Sequence, residues 1–585
     1  MACPEDSLPH NPQGIFMVSP RSLLLVLLPY IAKVVSAADF NECLSSINNM
    51  TVVGKTDNRG QPIPPSWSNA TSITYELCIS ACGSGPVPFQ WSLFSDEILT
   101  WIIPSLTLIS HLPFGANDKL DNLESMLLTV GSPTLAAYSL ALTVLNGRWI
   151  ARLFSNYRYP NAANAVKVLI NLQQAPIRID TREGRLSSLI ILPQNDDWWS
   201  ELVAWLDYHQ TWSIAAIVSL VWVVTAWVFT FIDYFVASTG KRPSSIGALS
   251  FWILPIVIGW LQVSPKCDSK RLGQALDRVN SIAYVSTRDG APRKAHSSTE
   301  STLYLRPFED DAVERDQHST PPIFNYARAL PWTQAVKVVS SAFRNAAMRT
   351  NHRESLIHKD FGPSKFQLAT IPEVEEYCGF KIEEDLASQT GTRIIDSSLL
   401  SRIFVASSWA LALQWGTTGA GVVVLWFRPP TGFGCRSAAL ICYGLLSTFA
   451  WILLASSSFL THYSGSSVIA SEVFQPSRRT FSSRLARKMS IILRRLGKTV
   501  AVINAIWFVV FPLLLFSNIF DRCYCNSNIM TLGKRAYTVI VATHAETERM
   551  RSAWIGGFSL SAVTAAAFVG FIAVFINPTL PPNDI

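Results

Sequence analysis

Eight segments of this chain carry almost no charge, and most are as long as a helix that crosses a membrane. They span 98–114, 124–146, 212–236, 246–263, 403–427, 437–460, 499–520 and 554–577. A helix rises about 1.5 Å per residue, so a hydrocarbon core needs roughly 20 apolar residues. Trp and Tyr gather near the segment ends, among them Trp101, Trp149, Trp212, Tyr234, Trp260, Trp409, Trp426 and Trp554. Such aromatic belts mark membrane interfaces. Over 585 residues only 15% are charged, against about 25% in a soluble domain. One large soluble core would need more polar helix faces between these segments. The expected fold is all-α: a polytopic transmembrane helical bundle of seven to eight spans with partly disordered cytosolic loops.

The N-terminal region reads as a secretory signal. Arg21 precedes a short apolar run, Ser22–Ala32, and the small residues Ser36, Ala37 and Ala38 follow. That pattern fits a cleaved signal peptide, or a signal anchor, over 1–38. Residues 39–90 are polar and hold two sequons, at Asn49 and Asn69, with Cys43, Cys78 and Cys82. They are expected to form a lumenal or extracellular, glycosylated stub.

Basic residues set the orientation. Within 461–498 lie Arg478, Arg479, Arg484, Arg487, Lys488, Arg494 and Arg495, against the single acid Glu472. This segment is expected in the cytosol. From about Ser482 to Leu496 it reads as an in-plane amphipathic helix on an anionic leaflet, an anionic-lipid site at 478–498. Plain positive-inside bias explains much of the same charge. Residues 148–167 and the connection 264–402 also read as cytosolic.

A lumenal 39–90 and a cytosolic 148–167 need an odd number of crossings between them, yet two apolar segments lie there. The weaker is 98–114, with Pro104, Pro113 and His111. It is expected to be a re-entrant or interfacial helix, which leaves seven crossings. Six cysteines then face the oxidising side: Cys43, Cys78, Cys82, Cys435, Cys523 and Cys525. They are the disulfide candidates, with one bridge expected among the first three and a distant partner for Cys523 or Cys525.

The expected division is 1–38, the signal; 39–90, the stub; 91–146, a first hydrophobic pair; 147–211, a cytosolic amphipathic region; and 212–263, a helical pair. Then come 264–402, a cytosolic loop disordered over 286–322; 403–460, a helical pair; 461–498, the basic segment; 499–577, the last pair with its lumenal Cys loop; and 578–585, a tail. Short helices are expected at 162–170 and 323–350. In 195–206 Asn195 or Asp196 is expected to cap an interfacial helix that carries Trp198, Leu202 and Trp205 on one face. Asp196, Asp197 and Glu201 lack the His or Cys that would complete a metal set.

No catalytic motif is present: no phosphate loop, no G-x-S-x-G, no H-E-x-x-H and no paired C-x-x-C. The glycines at 416, 419 and 421 lie inside a span and read as close helix packing. No catalytic, cofactor or metal residue is expected, and no nucleic-acid partner. The expected partners are the bilayer and cytosolic proteins.

The strings Leu112-Pro-Phe-Gly-Ala-Asn117, Leu128-Thr-Val-Gly-Ser-Pro-Thr-Leu-Ala-Ala-Tyr-Ser-Leu-Ala-Leu-Thr-Val-Leu-Asn146, Leu192-Pro-Gln-Asn-Asp-Asp-Trp-Trp199 and Cys523-Tyr-Cys-Asn-Ser527 resemble a family of polytopic membrane proteins of filamentous fungi. The resemblance covers most of the chain after about residue 75. It implies a fungal multipass protein of the plasma membrane or another secretory-pathway membrane, and it carries over no functional residue. Two functions are expected to compete. One is a non-enzymatic receptor-like or scaffolding protein; the other is a small-solute transporter or channel. They part on whether His111, Ser110, Thr129, Ser132 and Thr134 converge on a water-accessible pocket.

Overall fold

The computed structural model describes residues 39–115, 119–179, 182–208, 212–236, 251–289, 292–295, 303–304, 320–351, 370–379, 397–474 and 481–577. The signal over 1–38, Arg478 and Arg479, the acidic patch Glu383-Glu384-Asp385 and most of 286–322 lie outside them. Two units are present, one built from residues up to Gln90 with Ser517–Thr543, the other from Trp91–Phe516 with His544–Ile585.

In the first unit, helix α1 (Phe40–Asn48) starts at Asp39, whose carboxylate accepts from the amides of Asn41 and Glu42. Phe40, Leu44 and Ile47 form its buried stripe. Strand Ser72–Thr74 pairs antiparallel with both Lys55–Thr56 and Tyr537–Val539. Residues about 460 apart in sequence therefore share one small sheet. Disulfides join Cys43 to Cys82 and Cys78 to Cys523, with Cα separations of 5.4 and 5.9 Å. The Lys55 ammonium is buried and donates to the carbonyls of Met50, Pro65 and Trp67 at 2.7, 3.0 and 2.8 Å. It ties the sequon-bearing loop to the sheet. Asn49 and Asn69 are both exposed.

The second unit is helical. Residues 91–110 (α2) run without interruption. Helices Trp91–Glu97 and Ile103–Ser110 are joined by the π-helical Ile98–Ile102, where the Ile103 amide reaches back to the Ile98 carbonyl. Pro104 supplies no amide at the next position, which favours that wider turn. Helices α3 (Lys119–Gly131) and α4 (Pro133–Phe154) meet at a bend of 102°. Ser132 is the hinge: its hydroxyl accepts from the Leu135 amide, and Pro133 opens α4.

Then follow α5 (Ala162–Asn171), α6 (Arg185–Ile191), α7 (Asp196–Leu206), α8 (Ile214–Val236), α9 (Ile253–Val263), α10 (Ser269–Asn280), α11 (Ala329–Asn351), α12 (Ile371–Tyr377), α13 (Ser397–Trp426), α14 (Cys435–Phe474), α15 (Phe481–Phe516) and α16 (His544–Phe575).

Among the described residues three helices, Cys435–Ser464, Phe481–Phe516 and His544–Phe575, are long and apolar enough to cross a membrane, and the bent α3–α4 pair makes a fourth if it is one span. That is fewer than the seven to eight expected from the sequence. α13 has 30 residues but carries Gln414, Thr417 and Thr418 in its middle, while α8 and α9 are apolar but shorter over the described residues.

The basic segment also differs from expectation. It is no separate in-plane helix, because α15 continues unbroken from Phe481 into the apolar stretch. The two long connections also pack together. The described parts of 147–211 and 264–402 close around a single core with Phe154, Leu169, Trp198, Trp199, Leu276, Trp332 and Phe343 at its centre. Buried indoles find acceptors there: Trp332 donates to the Leu169 carbonyl at 2.9 Å and Trp199 to that of Leu189 at 3.0 Å. α7 buries Trp198, Trp199, Leu202 and Leu206 rather than Trp205, which is 40% exposed and lies under the Arg278 guanidinium at 4.5 Å. Asn195 does not cap α7 with its side chain. Its amide bonds the Ser188 and Tyr284 carbonyls at 2.9 Å each.

Candidate functional site

The break between α3 and α4 leaves carbonyls without their helical donors. Two of them, at Val130 and Gly131, are met by side chains from other helices. Tyr443 Oη donates to the Val130 carbonyl at 2.9 Å, and Asn504 Nδ2 donates to the Gly131 carbonyl at 2.7 Å. Ser132 Oγ donates to the Ser447 carbonyl at 2.8 Å, while Ser447 Oγ donates to Gln414 Oε1 at 3.2 Å and lies 3.1 Å from Thr134 Oγ1. Gln414 Nε2 closes the chain on Thr418 Oγ1 at 2.7 Å. All these groups are buried. A broken helix inside apolar surroundings is stable only when its freed backbone groups are satisfied in this way.

The residues named from the sequence as a pocket do not come together. Thr129 bonds its own helix at Ser125, Ser110 bonds Thr107, and His111 Nε2 lies 3.4 Å from Ser219 Oγ. Ser132 and Thr134 belong to the closed seam just described.

A cavity of about 110 Å³ lies instead beside the middle of α4, among Thr143, Gly147, Gln173, Gln174, Ser264 and Lys266. Its walls are helix ends: the last turn of α5, the last residue of α9 with Ser264 beyond it, and Ile576 just past α16. Helix C-termini present partial negative charge. Lys266 faces it from the opposite sign. The ammonium donates to the Tyr208 carbonyl and lies 4.5 Å from the Tyr208 ring. Burial lowers the Lys266 pKa, and Asp207 opposes that shift.

Gln174 Nε2 donates to Thr143 Oγ1 at 3.0 Å, which also accepts from Asn325 Nδ2 at 3.0 Å. Gln173 is 2% exposed, and neither its amide nitrogen nor its amide oxygen bonds protein. Gln174 Oε1 is unbonded too. A buried primary amide left this way costs about 1–3 kcal/mol per group, so the cavity favours a guest that offers a donor and an acceptor together. Nothing in the sequence marked Gln173 or Gln174; two adjacent glutamines after a helix read as an ordinary polar turn.

The other named residues lie elsewhere. Cys43, Cys78, Cys82 and Cys523 form the two bridges above, and Cys435 and Cys525 are disulfide-bonded as well. Arg484, Arg487, Lys488, Arg494 and Arg495 line the N-terminal half of α15. Asp196 accepts from Asn161 Nδ2 at 2.5 Å, and burial raises its pKa. Among the described residues no group of three or more His, Cys, Asp or Glu could hold a metal ion. No family model, no curated protein and no solved structure matches this chain.

Proposed function

We propose that the chain is a seven-crossing membrane protein, similar to multipass proteins of filamentous fungi, that binds a ligand or partner and does not conduct solutes. Segments 39–90 and 517–543 share one sheet and one disulfide, which supports a common side for both. Exposed sequons and disulfides suit the oxidising side of a secretory-pathway membrane. Basic residues along α15 suit the cytosolic side. An even number of crossings then separates Gln90 from Ser517. Helices α2, α8, α9, α13, α14 and α15 supply them, and α16 adds the seventh.

In this reading the α3–α4 pair is re-entrant, in place of 98–114. Glu124 pairs with Lys498 at 2.6 Å, Gly131 meets Asn504 further along α15, and Asn146 returns to accept from Arg402 near the start of α13. The pair enters and leaves on one side, which removes the parity conflict.

One observation carries the receptor-like reading: the Ser132, Thr134, Gln414, Thr418 and Ser447 side chains at the mid-bundle break are buried and hydrogen-bonded, with Asn504 Oδ1 beside them unbonded, while both polar atoms of the Gln173 amide are unbonded and line a separate cavity. Protein in nanodiscs should gain thermal stability with millimolar acetamide or urea, and Gln173→Leu should remove the gain. Proteoliposomes should pass these solutes no faster than protein-free vesicles. Faster flux would overturn the non-conducting reading and favour a transporter. The re-entrant tip beside Gln414 and Thr418 is the feature that would then line the path.

A further inference from the structure

We propose that the outward face of α15 between Phe481 and Leu496 is a binding site for anionic phospholipid headgroups of the cytosolic leaflet. The proposal rests on the reading that α15 crosses the bilayer. Its geometry begins at the seam with α14. Ser483, Ala486, Ser490, Gly497 and Ala501 are the buried side of α15. Ser490 Oγ donates to the Ser457 carbonyl at 2.9 Å, and Gly497 lies against Leu453 and Leu454. Small residues at this spacing fix which face looks away.

That outward face is apolar. Phe481, Leu485, Met489, Ile492 and Leu496 are all exposed, Phe481 by 78% and Ile492 by 54%. They follow the i+3 and i+4 spacing of one helical stripe. The same stripe runs on into Ile503 and Ile506, also exposed, in the half of the helix apolar enough to cross. Its lipid-facing line is thus continuous past the end of the hydrocarbon core. At 36 residues α15 is about 54 Å long, well beyond a ~30 Å core.

Charge supplies the second argument. Lys488 and Arg495 flank the stripe with Arg487 behind them, Arg484 and Arg494 lie on the same helix, and no Asp or Glu occurs from Phe481 to Phe516; Lys498, further along, pairs with Glu124 of α3 at 2.6 Å. Long basic side chains lay their methylenes along apolar surface and reach outward to phosphate. A tilted α15 would set the stripe against acyl chains at the leaflet boundary and the cations at headgroup depth. Apolar continuity and the excess of basic residues at Arg487, Lys488 and Arg495 select lipid over a protein partner, which would have to match both.

The test uses the full chain in nanodiscs of equal phosphatidylserine and phosphatidylcholine, with native mass spectrometry of the lipids retained. Phosphatidylserine should be enriched, and 1 M NaCl should reduce the enrichment. The triple variant Arg487→Gln, Lys488→Gln, Arg495→Gln should lose the enrichment about tenfold, while Arg152→Gln with Arg158→Gln should keep it. Inorganic phosphate added to phosphatidylcholine-only discs should leave the protein unchanged. No enrichment in the wild type, or enrichment indifferent to salt, overturns the proposal even if the triple variant fails to fold. Labelling of residues 481–496 that is blocked equally in phosphatidylcholine-only discs would point to a protein partner and also overturn it.

Discussion

Gly131 and Ala501 pack so closely that a Cβ on the glycine would overlap the Ala501 carbonyl. The obstacle is backbone, so it cannot swing aside as a side chain would. Gly131→Ala must push α3 from α15 or lose the turn into Ser132. Overpacking of this kind costs about 1–3 kcal/mol. The variant should unfold at lower temperature in detergent, whereas Gly570→Ala, with nothing within 4 Å, should match the wild type. Equal melting of both variants would refute the close approach.

Asn504 serves the same junction through hydrogen bonds. Its amide donates to the Gly131 and Tyr443 carbonyls, at 2.7 and 3.0 Å. Asn504→Leu keeps the volume and removes both donors, leaving the Gly131 carbonyl buried without a partner and the Tyr443 carbonyl with only the bond of its own helix. The expected loss is about 1–3 kcal/mol per orphaned group. Tyr443→Phe frees the Val130 carbonyl alone and should cost less. Thermal melts of the two variants test the order; a Leu variant as stable as wild type would show the break is held otherwise.

This junction also marks where sequence reading stops. Hydropathy registers 124–146 as one apolar segment because it reads composition, and Ser132-Pro133 changes direction without changing composition. Amphipathic spacing identified α11 around Ala335–Phe343 because one face is clearly apolar. On α7 it failed for Trp205: with seven aromatic or aliphatic residues among eleven several arcs look apolar, and contacts made about 80 residues away at Asn280 decide between them. The shared core of 147–211 and 264–402 was hidden for the same reason. Its helices are each short, and each buries its face only against others far along the chain. Gln173 was illegible because burial of a polar turn is a property of the assembly.

The Cys78–Cys523 bridge joins residues 445 apart, so it closes nearly the whole chain into a loop. Removing a native disulfide typically costs about 2–5 kcal/mol. Cys523→Ser should remove the covalent link of this segment to Cys78 and leave it held by the pairing of Tyr537–Val539 with Ser72–Thr74, the hydrogen bonds to Asn58 and the Cys525 disulfide. Limited proteolysis should then release segment 517–543 faster than in wild type. Non-reducing peptide mapping of the wild type should recover Cys78 joined to Cys523, and a Cys78–Cys43 peptide would contradict the arrangement.

The free thiols Cys267 and Cys378 offer a pH test of the buried core. Burial disfavours their thiolates and pushes both pKa values up to about 12, with Arg328 near Cys267 and the Ser187 hydroxyl at Cys378 opposing the shift. Only the thiolate attacks a maleimide. At pH 8 the thiolate fraction is then about one part in ten thousand, so both should resist N-ethylmaleimide in the folded protein and react promptly once it is unfolded. The sign follows directly: far below the pKa each pH unit multiplies the thiolate about tenfold, so the native rate should climb steadily from pH 7 to pH 10. A rate that levels off near pH 8 would mean an ordinary thiol, and the core around α9, α10 and α12 would have to be open to water. Mass-spectrometric footprinting of each cysteine across that range decides between the two.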